Sequence, residues 1–256
     1  MSARKQQIAR HFGAAAPTYD RAARIQARIA EALAGDIAAA ARPARILEFG
    51  CGTGNLTRAL AGLFPEAQLI ATDLAPPMAA LTRKRLGAAP QLACATMDAE
   101  LPAFQAAGFD LVCGSLAAQW FGNPHQAFAA LGALLRPGGV LALTTLGTET
   151  FQEWRAAAAL LGLTPAIPSY PSLAELDWQR PPGFLVEQAR EQRLWDEHPS
   201  ALDFLQSLRS IGADLPAERT RPLSPGALRR ILRQVDAQGR VRATYHVLTL
   251  LWRKAD

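Results

Sequence analysis

The decapeptide Ile46-Leu47-Glu48-Phe49-Gly50-Cys51-Gly52-Thr53-Gly54-Asn55 constrains this chain more than any other stretch. An apolar run, three alternate glycines and a helix-competent segment beyond them read as strand, tight turn and helix. Glycine lacks the Cβ that blocks close approach and disfavours positive φ, so such a bend can bring the main chain up against a ligand. A dinucleotide fingerprint, G-x-G-x-x-G, needs its third glycine at position 55, where Asn55 stands. The run Leu69-Ile70-Ala71-Thr72-Asp73 reads as a second strand, and Asp73 ends it 23 residues beyond Gly50. A carboxylate at that place in a βαβ unit accepts both hydroxyls of a ribose.

The same rhythm continues down the chain. Arg45–Phe49, Gln68–Asp73, 91–97, Phe109–Ser115 and 140–145 are expected strands. Expected helices lie between them at Asn55–Leu63, 77–86 and 124–135, the last halted by Arg136-Pro137-Gly138-Gly139. Before them, residues 4–41 read as helical with a break at Ala16-Pro17-Thr18, and Ile25, Ile29, Leu33 and Ile37 form a buried stripe. After Thr145 the rhythm changes: a helix over 148–161, a proline-rich irregular stretch over 165–182, and a strand over 186–195. Helices over 200–211 and 225–235 then precede a last strand over 240–252, whose polar–apolar alternation suits an antiparallel edge. The expected fold is α/β and Rossmann-like: a seven-stranded, mostly parallel sheet with an antiparallel last strand, helices on both faces and a C-terminal helical insertion. It forms one domain over 1–256, with a helical lid segment at 1–41, a cofactor-binding core at 42–147 and a substrate-side part at 148–256. The insertion lies around 198–236.

Composition narrows the class. No run of about 18 apolar residues occurs, which argues against a membrane span. The segment Met1–Ile8 lacks the apolar core of a secretory signal. Cys51, Cys94 and Cys113 include no C-x-x-C; two fall in strands expected to be buried, and the set fits a reducing cytoplasm. His11, His125, His198 and His246 are scattered, so no metal site is expected. A net charge of +5, carried almost wholly by arginine, suits an acidic partner. No interleaving of aromatic and basic residues marks a nucleic-acid platform.

In a doubly wound sheet, ligands bind beyond the strands' carboxyl ends. Gly50, Asp73, Asp98 and Ser115 all fall there. Glu48, Gly50, Cys51, Gly52 and Asn55 of the turn, with Asp73, therefore predict the cofactor site of an S-adenosylmethionine-dependent methyltransferase. Asp98 is placed to accept an exocyclic amine of adenine, with the Ala99 amide on a ring nitrogen and Leu74 and Met78 against the purine. Ser115-Leu116-Ala117-Ala118-Gln119-Trp120, after the fourth strand, faces the position where methyl donor and acceptor meet.

With those residues in hand, the chain resembles the malonyl-acyl-carrier-protein O-methyltransferases of biotin synthesis over nearly its whole length. The resemblance rests on His11-Phe12-Gly13-Ala14-Ala15-Ala16-Pro17-Thr18-Tyr19-Asp20, the cofactor turn and Ser115–Trp120. Thr145-Leu146-Gly147 and Leu208-Arg209-Ser210-Ile211-Gly212-Ala213 also carry it. Glu48-Phe49 departs from the commoner Asp-Leu, Arg209 stands where Lys is frequent, and 165–182 matches least well.

The resemblance implies methyl transfer from S-adenosylmethionine to the free carboxylate of a malonyl thioester, on acyl carrier protein or CoA, leaving S-adenosylhomocysteine. It further implies Tyr19 as a lid residue, Gln119 and Trp120 beside the reacting groups, and Arg155 and Arg209 as candidate holders of the carboxylate. An acidic carrier protein is the expected transient partner, met by Arg209, Arg229, Arg230 and Arg233; no nucleic acid or membrane partner is expected, and the protein is expected to be a monomer. Two readings stand beside this one: a carboxyl methyltransferase of a small dicarboxylate such as trans-aconitate, and a non-methylating assembly-factor or hydroxylase homologue on the same fold. A protein that binds the nucleoside and a partner without catalysis is a further alternative.

Overall fold

The computed structural model describes residues 1–87, 89–216, 223–237 and 239–256. The part of the expected insertion at 217–222 lies outside the described residues. The chain opens with α1 (Ala3–Ala15), capped by the Ser2 hydroxyl, which accepts the Lys5 amide. A turn over Ala16–Thr18 separates it from α2 (Tyr19–Ala22) and α3 (Arg24–Ala40), and α3 buries Ile25, Ile29, Leu33 and Ile37. The alternating half follows: β1 (Arg45–Phe49), α4 (Asn55–Leu63), β2 (Gln68–Asp73), α5 (Pro76–Leu86) and β3 (Leu92–Thr96). It continues with β4 (Phe109–Ser115), α6 (Pro124–Ala133) and β5 (Leu135–Leu146). The second half contains α7 (Gln152–Leu160), α8 (Leu173–Asp177), β6 (Phe184–His198), α9 (Ala201–Ser210), α10 (Pro225–Asp236) and β7 (Val241–Lys254).

Among the described residues, seven strands form one sheet in the order β3-β2-β1-β4-β5-β7-β6. β7 runs antiparallel to both its neighbours, and the pairs from β3 to β5 are parallel. Side chains alternate across the sheet, as the period of two requires. Leu47, Val112, Leu141, Leu143 and Leu250 pack with Phe128 and Leu131 of α6 on one face. Ile46, Leu111, Val140 and Ala142 pack with Leu33 and Ile37 of α3 and Leu56 and Leu60 of α4 on the other. A third cluster joins Ile25 and Ile29 to Trp154, Phe204, Ile231 and Tyr245, so α7, α9 and α10 cover the carboxyl end of β5 and the amino-terminal half of β7.

Several expectations are corrected. β7 is an interior strand, not an edge: its polar–apolar alternation survives only at Val241-Arg242, and from Ala243 to Trp252 it is buried on both faces. The edge is β6, longer than expected and studded with Glu, Gln and Arg, a composition that discourages further strand pairing. Cys94 is half-exposed rather than buried, because β3 is the opposite edge. The turn residues after α6 already belong to β5, since Leu135 pairs with Phe109 across an irregular register. The helix expected over 148–161 begins only at Gln152, after Phe151 at φ +58°. Within 165–182, Ser172 and Glu175 form a capping box that starts α8.

Strand order reverses between β1 and β4, and a crevice opens there beyond the carboxyl ends. The loops after β1, β2, β3 and β4 all reach it.

Candidate active site

The glycine turn takes the shape that its residues demand. Gly50 has φ +66°, and a Cβ there would stand 2.4 Å from the Ala117 Cβ. Any larger residue would close the crevice between the β1 and β4 loops. Gly54, at φ +94°, then starts α4.

Asp73 is 8 % exposed and firmly aimed. Its Oδ2 accepts the Gly52 amide at 2.9 Å and its Oδ1 the Ala75 amide at 2.8 Å. Burial pushes its carboxyl upward, against the pull of those two amides. Each oxygen keeps a second lone-pair position for a ligand. Asp73, Leu74, Asp98, Ala99 and Ser115 line one chamber of about 100 Å³, together with Gly50 and Gly52.

Asp98 is less free than its position suggested. Its Oδ1 takes the Glu100 amide at 3.1 Å, and Lys5 Nζ lies 2.6 Å from its Oδ2 and 2.7 Å from Glu100 Oε2. The N-terminal helix is thereby latched onto the Asp98 side of the chamber. Met78 is fully buried beneath the wall, against Ala16 and Ala75, and lines none of these cavities; Ile8 and Phe12 of α1 line the chamber as apolar groups instead. Asp20 anchors the other end of the N-terminal helical segment by accepting the Thr53 hydroxyl at 2.6 Å and pairing with Arg85.

Glu48 sits at the foot of the turn, completely buried. Neither of its oxygens has a hydrogen-bond partner of normal geometry. Burial pushes its carboxyl up to about 8, with the hydroxyl and amide of nearby Thr57 pulling the other way. It lines a cavity of about 30 Å³ with Gln26, Asn55, Cys51 and Tyr19. The Cys51 thiol is driven well up by burial, which leaves it a packing group rather than a nucleophile.

Beyond Tyr19 and Leu116, which border every one of these spaces, lies an inner chamber of about 50 Å³. Leu116 holds φ +50°, a strained conformation for a leucine. Gln119 fixes it: its Nε2 donates to the Leu116 carbonyl at 2.7 Å, and its Oε1 accepts from Thr145 at 3.3 Å. Trp120 packs edge-on against Phe12 at 5.3 Å, so the β4 loop and α1 touch across the chamber mouth. The inner chamber adjoins an apolar cavity of about 330 Å³, lined by Trp154, Ile167, Phe204, Leu205 and Leu223, with Phe151, Tyr170, Leu208 and Ala213 common to both.

Neither expected arginine lines the inner chamber. Arg155 donates Nε to the Thr150 carbonyl at 3.3 Å and a terminal nitrogen to the Pro168 carbonyl at 2.6 Å, tying the proline-rich stretch to α7. Arg209 lies at the outer cavity with its side chain 67 % exposed, 3.7 Å from Asp214. Arg229, Arg230 and Arg233 are exposed on α10 and pair with no carboxylate among the described residues. Sequence reasoning missed Lys5, Gln26, Tyr170 and Tyr245, whereas Leu116 stands within the Ser115–Trp120 segment it had singled out. Phe12 and Asp20 stand within a motif it had singled out. Among the described residues, no group of three or more His, Cys, Asp or Glu side chains could hold a metal, and no helix is long and apolar enough to cross a membrane.

Comparison with known proteins agrees with this architecture. A family model described as a methyltransferase domain matches residues 47–141. A biotin biosynthesis bifunctional protein of Bordetella avium is 44 % identical over 249 residues, covering 96 % of this chain and 52 % of its own. This chain thus spans about half the length of that relative. A malonyl-[acyl-carrier protein] O-methyltransferase of Magnetococcus marinus is 38 % identical, covering 96 % of this chain and 91 % of its own. Among solved structures, a geranyl diphosphate methyltransferase superposes with a TM-score of 0.61 at 13 % identity, over 99 % of this chain and all of its own, a likeness of fold.

Proposed function

The chain belongs to the malonyl-[acyl-carrier protein] O-methyltransferase family, and on that premise we propose that it transfers a methyl group from S-adenosylmethionine to the free carboxylate of malonyl-acyl carrier protein. The product is the methyl ester that primes biotin synthesis. One observation carries the reading: the glycine-turn chamber, the Glu48 cavity and the inner chamber meet at Tyr19 and Leu116, and the last adjoins an apolar cavity. A nucleoside on one side and an acyl thioester on the other can meet there.

The chamber's residues suit the cofactor. Asp73 offers two aimed oxygens to ribose hydroxyls. Glu48, a buried carboxylate with no partner, suits the ammonium of an amino-acid tail, because a buried charge is stable only when paired. Gly50 and Gly52 admit the backbone of that tail, and Leu74, Ile8 and the Ala99 amide suit the purine. Ser115 and Asn55 complete the walls. Bound there, S-adenosylmethionine supplies an electrophilic methyl group on a positively charged sulfur.

The protein has little proton chemistry to perform. A carboxylate is already ionised near neutral pH, so the acceptor needs no general base. Tyr19, Trp120 and Phe12 close over the chamber, exclude water and hold the acceptor in place, and positioning of this kind is a large part of a bimolecular barrier. The apolar cavity suits the thioester arm. Exposed Arg209, Arg229, Arg230 and Arg233 beside it suit an acidic carrier. Esterification deletes one negative charge, so the acyl chain can then enter an apolar synthase pocket that rejects a carboxylate.

Mass spectrometry of malonyl-acyl carrier protein incubated with S-adenosylmethionine tests the reading. The expected result is a gain of one methyl group, absent in Asp73→Ala. Methylation of trans-aconitate or another free dicarboxylate in preference to the malonyl carrier would overturn the substrate assignment. No S-adenosylhomocysteine with any acceptor would overturn the activity.

A further inference from the structure

With both arginines outside the inner chamber, other groups must hold the acceptor carboxylate. No Lys, Arg or His is among the described residues that line the chamber. Its polar side chains are the phenols Tyr19, Tyr170 and Tyr245, the carboxamides Gln26 and Gln119 and the indole of Trp120, and Gln119 is already engaged with the β4 loop. The three phenols come from three separate elements: α2, the proline-rich stretch and β7. Tyr245 lies within electrostatic range of both other phenols, and the Gln26 carboxamide stands beside its hydroxyl. Gln26 Oε1 is buried with no partner of its own. Arg155 stands behind Tyr170, hooked to the Pro168 carbonyl, and its charge acts on the Tyr170 phenol.

We propose that Tyr170 and Tyr245 are the carboxylate-binding subsite for the acceptor, with Gln26 orienting Tyr245 and Arg155 positioning Tyr170 from behind. This inference rests on the methyl-transfer reading above. Burial pushes the Tyr170 hydroxyl up to about 12 and raises the Tyr19 and Tyr245 hydroxyls as well, so all three remain protonated donors. Neutral donors have a chemical advantage here. They hold a carboxylate by hydrogen bonds while leaving more electron density on the attacking oxygen than a bidentate guanidinium would. They also favour turnover, because an ester oxygen is a weaker acceptor than a carboxylate and the product is held less tightly. An acetyl thioester, lacking the distal carboxylate, would leave these donors unpaired in a buried chamber and so be rejected.

The test is steady-state kinetics of Tyr170→Phe, Tyr245→Phe and the double variant with malonyl-acyl carrier protein, alongside calorimetric binding of S-adenosylhomocysteine. Each lost donor to a charged group is expected to lower kcat/KM by about 10- to 100-fold, mainly through KM, with cofactor affinity unchanged. The preference for the malonyl thioester over its terminal-amide analogue, measured as KM against inhibition constant, should shrink in the same variants. A double variant with wild-type kcat/KM overturns the subsite. A wild-type protein that fails to methylate the malonyl carrier overturns the functional reading instead. Should Tyr245→Phe lose cofactor binding, Tyr170→Phe, at a half-buried position in an irregular stretch, decides the question alone.

Discussion

Removing the Glu48 carboxylate should change cofactor binding, proton uptake and stability together, each with a known sign. In the ligand-free protein its carboxyl titrates near 8 against an ordinary value of 4.5, because burial disfavours the charged form. At pH 7 a group titrating near 8 is protonated in about nine molecules of ten. An ammonium placed beside it in the bound state makes ionisation favourable, so binding of S-adenosylhomocysteine should release close to one proton. Calorimetry in two buffers of different ionisation enthalpy reads that number as the slope of observed enthalpy. Adenosine, which lacks the amino-acid tail, should give a slope near zero, as should Glu48→Gln with either ligand. Stability follows with the opposite preference. Between pH 4.5 and 8 the unfolded chain has released a proton that the folded chain keeps, so ligand-free stability falls by about 1.4 kcal/mol per pH unit. At pH 7 the accumulated loss is about 3 kcal/mol, which Glu48→Gln escapes. The ligand-free variant should therefore melt several degrees above wild type at pH 7 and alongside it near pH 4.5, while binding S-adenosylhomocysteine about 10- to 100-fold more weakly. Equal buffer slopes for wild type and variant would refute this account of Glu48.

Three further perturbations address the turn, the N-terminal helix and the outer face. Gly50→Ala combines a φ of +66° with a Cβ 2.4 Å from that of Ala117, so it should cost about 1–3 kcal/mol in thermal denaturation and abolish cofactor binding; a variant that binds normally would show that the loops can part freely. Lys5→Met leaves Asp98 and Glu100 without their shared cation, and amide exchange over residues 3–15 should accelerate together with several-fold faster cofactor release, whereas unchanged exchange would mean that packing of Phe12 alone holds α1 in place. Reversing Arg229 and Arg230 to Glu should slow turnover of the malonyl carrier and flatten its salt dependence while sparing malonyl-CoA, and identical effects on both acceptors would remove α10 from carrier docking.

How much of the site was legible depended on whether local chain geometry dictates it. Gly50, Gly52 and Asp73 could be found because a strand–turn–helix bend and an acid at the next strand's tip leave a pattern at short range. Asp98, Ala99 and Ser115 followed, since topology alone carries strand ends to one crevice. Met78 was misjudged because helical spacing does not distinguish a residue facing the cavity from one facing Ala16 and Ala75 beneath it. Arg155 and Arg209 were chosen for their charge. Where a guanidinium ends depends on which carbonyls lie within reach, and Thr150, Pro168 and Asp214 decided that. Lys5 meets Asp98 across 93 residues and left no local trace.

The alternating elements, the parallel half of the sheet and the cofactor turn were written in the order of residues along the chain, because hydrophobic period and backbone freedom act over a few positions. Tertiary structure decided which strand lies inside and which at the edge. β7 looked like a margin, yet it is covered by β5 and β6 and by cores on both faces. Tertiary structure also assembled the inner chamber, where Tyr19, Gln26, Tyr170 and Tyr245 converge from four separate segments. Contacts between distant segments depend on the packing of every element between them, and no window of sequence contains that information.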